Sequence, residues 1–279
     1  MVCSANSPNQ DVSVVVLTKN SARTIQVCLE SVIRERPREV IIVDASSTDN
    51  TVRLIGHYGV RLVVARINSL GYSRKLGVEA AKSKFVMFVD SDVTLSKGCV
   101  LAMKHELQEN GWVGIHATLL SPGHASYWQK AEDKAMRRRN QTGPRTRIGT
   151  AAALFYRSVL VRYPFDARLK ESSEDRDLSF RIVQDGYRVG VSAAYAYHLR
   201  KTDFSAFAMR LFRYGLGDAA FSKKHGIVHE RLLERMKTMA DQTVHSSIRQ
   251  TVSLVPYWYV TGVIQLFGFL VGLSKLRES

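Results

Sequence analysis

The chain is short of cysteine. Three in 279 residues (Cys3, Cys28, Cys99), without CxxC or zinc-ligand spacing, exclude a disulfide scaffold and suit buried thiols in a reducing compartment. Proline is also scarce, with 6 residues, and the 45% apolar share is too high for a disordered chain. Neither GxGxxG nor GxxxxGK[ST] occurs, which argues against a dinucleotide dehydrogenase and a P-loop NTPase. Internal repeats, low-complexity tracts and clear linkers are absent. Met1–Asn9 lacks an apolar core, so no secretory signal is expected. Acid is the scarce charge: 25 Asp+Glu against 40 Lys+Arg give +15. That balance attracts nucleic acid, anionic membranes or phosphorylated substrates. No nucleic-acid-binding module is recognisable, so no nucleic-acid partner is expected.

What is present is a strand–helix alternation. Asp11–Thr18 is an apolar β-branched run, read as a buried strand, followed by a helix over Ala22–Arg34 capped by Ser21. Val40–Val43, Arg61–Ala65 and Phe85–Val89 read as further strands, with helices over Thr51–His57 and Tyr72–Ala81 between them. Such alternation predicts an α/β fold, a doubly wound, mostly parallel mixed sheet whose strand C-termini form one ligand-binding edge. Asn20, Asp44 and Asp90-Ser91-Asp92 all fall at that edge. The second half reads as strands at Trp112–Leu120 and Ala151–Tyr156, and a basic helix at Ser126–Arg139. A polar loop holding Glu174-Asp175 precedes a helix at Leu178–Asp185, short strands at Arg188–Val191 and Tyr195–His198, and helices over Phe204–Phe221 and Val228–Arg249.

Asp90 and Asp92 at the mouth of a parallel sheet suit a hard divalent cation bridging to a diphosphate, although a lone DxD also serves as a capping turn. The ordered set is more specific. Val12–Asn20, Ile41-Ile-Val-Asp44-Ala-Ser-Ser-Thr-Asp49, Leu70-Gly-Tyr-Ser-Arg74-Lys75-Leu-Gly77, Phe88-Val-Asp90-Ser-Asp92 and Glu174-Asp175-Arg-Asp-Leu178 occur at βα-unit spacing. Together they resemble the inverting glycosyltransferases of family 2, with the GT-A fold, over roughly residues 11–200.

The resemblance implies a donor-binding set of Thr18, Asn20, Asp44, Arg74, Asp90 and Ser91, with Asp44 on the base and Arg74 near ribose and phosphates. It implies metal ligation by Asp92 and His198, and a general base at Asp175. The implied reaction moves one sugar, a hexose by expectation, from a UDP- or GDP-linked donor to an acceptor, with Mn²⁺ or Mg²⁺. No QxxRW follows Glu174-Asp175, which sets the chain apart from processive synthases. Asn20-Ser-Ala-Arg23 and Lys75 depart from the family's usual acidic and Asn positions. Taken as bare residues, Glu174-Asp175 also fits an acidic helix N-terminus, and His198 a structural strand-end histidine. The rival readings are a degenerate, non-catalytic GT-A scaffold and, behind it, a nucleic-acid binder.

From Gln250 to Ser274 there is no charged residue. The apolar stretch Val252–Leu273 suits a membrane: about 22 helical residues cover roughly 33 Å against a hydrocarbon core of about 30 Å. Spanning, lying in the plane, and core burial all fit the pattern. Arg210, Arg213, Lys223, Lys224, Arg231, Arg235, Lys237 and Arg249 precede it, which the positive-inside rule assigns to the cytoplasmic face. Lys134–Arg147 is a second basic run, read as a solvated face or a surface for an anionic acceptor or headgroups. The expected organisation is a catalytic domain at 1–202, juxtamembrane helices at 203–249 and an anchor at 250–279. It sits at the cytoplasmic face of an anionic cell membrane, with polyprenyl phosphate or a lipid-linked glycan as acceptor.

Overall fold

A computed structural model of the chain describes residues 9–121, 123, 126–139, 141–199, 203–234 and 254–277, apart from the side chains of 136–139 and 277. Within these residues two compact units are found. One lies within Met1–Pro122, Asn140–Lys170 and Asp175–Arg200, the other within Gly123–Arg139, Glu171–Glu174 and Lys201–Ser279.

The first unit opens with β1 (Val12–Thr18), α1 (Ile25–Arg34), β2 (Glu39–Asp44), α2 (Thr51–Ile55), β3 (Arg61–Val64), α3 (Leu70–Ala80) and β4 (Phe85–Asp90). β1 pairs in parallel with β2 and β4, and β3 extends the sheet beside β2. The Val/Ile runs are apolar at successive positions because both sheet faces are covered. Val15, Ile41 and Phe88 share one buried cluster with Val78, Leu178 and Ile182. Val14, Val16, Ile42 and Met87, whose side chains alternate to the opposite face, are also fully buried. α3 lies on β1 at near-backbone distance: a Cβ at Gly77 would stand 2.4 Å from Val15 Cγ1.

The unit continues with β5 (Val93–Leu95), α4 (Cys99–Glu109) and β6 (Gly114–Leu120). After α5, which belongs to the second unit, come β7 (Gly143–Arg145), β8 (Ala152–Tyr156), α6 (Arg157–Arg162), α7 (Glu174–Gln184) and β9 (Val189–His198). The strand order is β3-β2-β1-β4-β8-β6-β9-β5, with β7 on β9. β8 runs antiparallel to β4 and β6, β6 and β9 are parallel, and β5 and β7 are antiparallel to β9. The sheet is therefore parallel in its first half and mixed in its second.

Several elements differ in detail from the sequence expectation. α1 begins at Ile25, because Ser21–Thr24 forms a turn whose Ser21 carbonyl accepts from Thr24 N and Ile25 N. α4 carries no local cap signal. Its first turn is closed by Glu35, whose carboxylate accepts from Gly98 N at 2.8 Å and Val100 N at 3.0 Å across more than 60 residues. α7 starts at Glu174, so Glu174 and Asp175 occupy its first turn rather than a loop. The strands expected at Arg188–Val191 and Tyr195–His198 are one strand, β9, whose pairing with β6 shifts register between His116 and Thr118.

The second unit contains α5 (Tyr127–Arg139), α8 (Phe204–Lys224), α9 (228–234) and α10 (Val255–Arg277). Ala131, Ala135, Phe207, Leu211, Leu254, Tyr257 and Trp258 form its apolar cluster. The rest of the helix expected over Val228–Arg249 lies outside the described residues. Among the described residues α10 is one helix long and apolar enough to cross a membrane.

Candidate active site

Parallel pairing brings Thr18, Asp44 and Asp90 to the same sheet edge: Thr18 is the register partner of Asp44, and Leu17 that of Asp90. Asp44 is buried, and its carboxylate accepts from Thr18 Oγ1 at 2.8 Å, Ser47 Oγ at 2.5 Å and Ser47 N at 2.8 Å. Ser47 then accepts from Asn20 N at 2.8 Å, and Asn20 Oδ1 accepts from Thr48 N at 2.8 Å. The loops after β1 and β2 are thus one hydrogen-bonded unit. Asn20 (φ 50°) and Ser46 (φ 57°) both adopt the left-handed region within it, and Ser173 (φ 72°) does so directly before Glu174. Strained non-glycine backbone of this kind collects at functional loops.

At the end of β4 the two carboxylates have different neighbours. Asp90 Oδ1 lies 3.4 Å from Arg74 Nη2, and the Arg74 guanidinium is buried, donating from Nε to Thr150 Oγ1 at 2.9 Å and facing the Phe88 ring. Asp92 Oδ1 lies 3.2 Å from His198 Nε2. The pairing of β5 with β9, Val93 opposite His198, and a Leu199 N–Asp92 O hydrogen bond of 2.7 Å hold that pair in register. Ser91 meets Ser21 through their hydroxyls at 2.7 Å, tying the acidic turn to the loop after β1. Behind the turn, burial and the nearby Asp92 and Asp90 charges push the Cys28 thiol well above its usual range.

Asp175 is mostly buried in the first turn of α7. Its Oδ1 accepts from Arg176 N at 2.6 Å and lies 3.7 Å from Arg147 Nη2. Gly149 leaves open the space between Asp175 and His116: a Cβ there would stand 3.4 Å from His116 Nε2 and 3.7 Å from Asp175 Oδ2. The structure therefore forms one network of Thr18, Asn20 and Asp44, and contacts pairing Arg74 with Asp90 and Asp92 with His198. A separate cluster holds Asp175, Arg147 and His116. The sequence reading gave no role to Ser47 or His116, and did not pair Thr150 with Arg74. Ser47 had a signal, since Asp44 three residues earlier is the spacing of a carboxylate that accepts the i+3 amide. His116 had a weaker one, as the lone imidazole inside an apolar strand.

An open α/β sheet with an acidic turn at its C-terminal edge places the chain among GT-A folds. The family profile described as glycosyl transferase family 2 matches residues 13–162, more than half of the chain, and the chain belongs to that family. The uncharacterized glycosyltransferase YibD of Escherichia coli (strain K12) is 34% identical over 94 residues, 31% of this chain and 27% of that protein. The poly(ribitol-phosphate) beta-N-acetylglucosaminyltransferase TarS of Staphylococcus aureus (strain Mu50) is 34% identical over 95 residues, 30% of this chain and 17% of TarS. The matched stretches thus span about a quarter or less of these relatives. In three dimensions, S. aureus TarS 1–349 in complex with UDP-GlcNAc superposes with a TM-score of 0.53 at 18% identity, covering 96% of this chain and 91% of that one. GalNAc-T7 with UDP, GalNAc and Mn²⁺ gives 0.58 at 14%, covering 74% and 47%. These likenesses establish the fold.

Proposed function

We propose that this chain transfers a single sugar, with inversion, from a nucleoside-diphosphate sugar to an acceptor at the cytoplasmic face of a membrane. The observation that carries the reading is the sheet edge, where Asp44 ends β2, Asp90 ends β4 on the other side of β1 and Asp92 lies in the turn after β4, while Asp175 sits in the first turn of α7 within the same unit. The UDP-GlcNAc complex of TarS, a protein of the same fold, supports a UDP-linked donor.

Asp44, held by Thr18 and Ser47, presents a fixed acceptor edge suited to the N–H of a uracil ring. Asp92 and His198 offer a carboxylate oxygen and an imidazole, a donor set that fits Mn²⁺ or Mg²⁺. Among the described residues no cluster of three or more His, Cys, Asp or Glu is arranged around a metal position, so diphosphate and water oxygens would complete the shell. A cation bound there supplies charge neutralisation of the departing diphosphate. Arg74 offsets the charge of Asp90 and keeps it from opposing that anion. Asp175 takes the proton of the acceptor hydroxyl as its oxygen bonds the anomeric carbon and the bond from that carbon to the phosphate oxygen breaks. Arg147 stands beside that carboxylate, 3.7 Å away. A phosphate acceptor, already an anion, would lessen the need for the base. The apolar α10 and the +15 charge favour a lipid-linked acceptor such as polyprenyl phosphate.

The test is a nucleotide-sugar screen on membrane-reconstituted protein with Mn²⁺, Mg²⁺ or EDTA. Metal-dependent turnover of one donor, lost in Asp92→Ala, with Asp175→Ala keeping donor binding but losing transfer, supports the reading. Folded protein that binds no donor under any condition overturns it in favour of a non-catalytic scaffold.

A further inference from the structure

We infer that α8 and α10 together seat the chain in the plane of an anionic membrane surface, and that α10 does not cross the bilayer. This rests on the membrane attachment proposed above and specifies its geometry.

α10 is not the covered core helix of a soluble fold, since only 17% of its most apolar 18-residue stretch is buried. Its exposed large apolar side chains form one stripe: Tyr259, Val263, Phe267 and Leu270 are 62%, 43%, 61% and 49% accessible. At about 100° per residue they fall within roughly 80° of arc. Leu254, Tyr257, Phe269, Gly268 and Gly272, all buried, face the other way.

That buried side is joined to α8 along its length. The Phe207 and Tyr257 rings lie 6.0 Å apart near the N-terminal ends. In the middle, a Cβ at Gly215 would stand 2.3 Å from the Gln265 carbonyl oxygen, and one at Gly268 2.3 Å from that of Phe212. Further on, a Cβ at Gly272 would stand 2.7 Å from Ala219 Cβ. At the far end Lys223 Nζ donates to the Leu276 carbonyl. The two helices run parallel at backbone contact, so wherever α10 goes α8 goes too.

α8 is no membrane-crossing helix. It carries Arg210, Arg213, Asp218, Lys223 and Lys224. Taking five charges through hydrocarbon opposes insertion. Arg210 is tied to Glu132 of α5 at 2.7 Å and Asp218 to Arg231 of α9 at 3.4 Å, so crossing would drag those helices along. A spanning α10 must therefore abandon its glycine-lined partner. Lying in the plane keeps every contact. The Tyr259–Leu270 stripe, with Phe212 stacked beside Phe267 at 5.8 Å, enters the boundary between headgroups and acyl chains. The exposed Lys223, Lys224 and Lys275 meet anionic headgroups.

The test uses the full chain with Cys3→Ser, since Cys28 and Cys99 are buried and resist labelling. Single cysteines are placed at exposed Ser205, at the start of α8, and at Ser279, two positions past the end of α10 and off its apolar stripe. Membrane-impermeant maleimide is added to inside-out vesicles of the expression host. An in-plane seat labels both positions without detergent; a position that labels only after detergent means α10 crosses, and overturns the inference. In parallel, purified Phe267→Glu/Leu270→Glu protein is floated on vesicles of phosphatidylcholine with one-third phosphatidylglycerol. Both sites are exposed, so the fold survives, and binding is expected to fall by at least about tenfold. Unchanged flotation of this variant also overturns the inference. If the parent chain neither fractionates with host membranes nor floats, the membrane reading itself fails.

Discussion

Replacing Thr18 with valine removes one hydroxyl while nearly keeping the side chain's shape. Three donors hold the buried Asp44 carboxylate, and Thr18→Val deletes the 2.8 Å bond to Oδ1 while leaving both Ser47 bonds. A hydrogen bond to a charged group contributes about 1.5–3 kcal/mol. Two donors remain, so the expected loss lies near the lower end, about 1.5 kcal/mol, or roughly tenfold in an equilibrium. Thr18→Ser keeps the Oγ and gives up one methyl, for about 0.8 kcal/mol. The assay is hydrogen exchange of the β1 and β2 amides, with UDP titration alongside. Valine should cost more than serine in protection, and only valine should weaken UDP, because it alone frees Asp44 to rotate. A serine variant less protected than the valine variant, or a valine variant with unchanged protection, refutes the reasoning.

The Cys99 thiol is pushed by burial, with the Glu35 charge second, from its ordinary 9.0 to about 12. A group whose folded value is raised stabilises the fold below its unfolded value and loses that contribution as pH rises towards its folded value. Stability should therefore fall between about pH 9 and 12 by roughly 1.4 kcal/mol per unit for this thiol, and Cys99→Ala should remove its share of the slope in urea titrations. Gly77→Ala drives a Cβ to 2.4 Å from Val15 Cγ1. It should cost about 1–3 kcal/mol through overpacking, read as a lowered thermal midpoint. Gly149→Ala meets His116 and Asp175 only at 3.4 Å and 3.7 Å. The fold should stand, with an unchanged midpoint, while transfer falls and donor affinity does not, because the new methyl occupies the space in front of Asp175.

The first half of the fold was legible because its signals are local. Runs such as Val12–Val16 announce strands buried on both faces, and Ser69 caps α3 by accepting from Tyr72 N. The second half encodes less in its neighbours. α4 is closed by Glu35 from another element, so no window around Cys99–Glu109 contains its start signal. β5 and β7 have three residues each and exist because β9 pairs with them. The antiparallel entry of β8 between β4 and β6 follows from tertiary pairing that periodicity does not express. At the site, the placement of Asp44 and Asp90 at one edge followed from parallel connectivity. The Asp92–His198 contact spans 106 positions and rests on the β5–β9 register, so only the family resemblance hinted at it. His116 gave no motif, and nothing local to Thr150 announced its bond to Arg74, 76 positions away.

The spacing of Asp90 and Asp92 has a physical consequence of its own. Asp90 is the last residue of β4 and turns to a buried guanidinium, with its amide donating to the Ala151 carbonyl at 2.9 Å. Asp92 lies past the turn and faces an imidazole. The two carboxylates thus have different partners, although one residue separates them. The Arg74 guanidinium is buried and fixed by Thr150, while the Asp90 side chain stays 32% accessible, so a cation offered to Asp90 would have to compete with a permanent charge. The His198 imidazole is itself a metal donor, so a cation arriving at Asp92 would gain a second protein ligand there. The backbone enforces this division from several sides, with Cys28 Sγ against the Asp90 carbonyl, Ser21 on Ser91 and Leu199 N on the Asp92 carbonyl. That asymmetry is the physical reason to assign the metal to Asp92 in the proposal above and to give Asp90 the task of holding the turn's electrostatics in place.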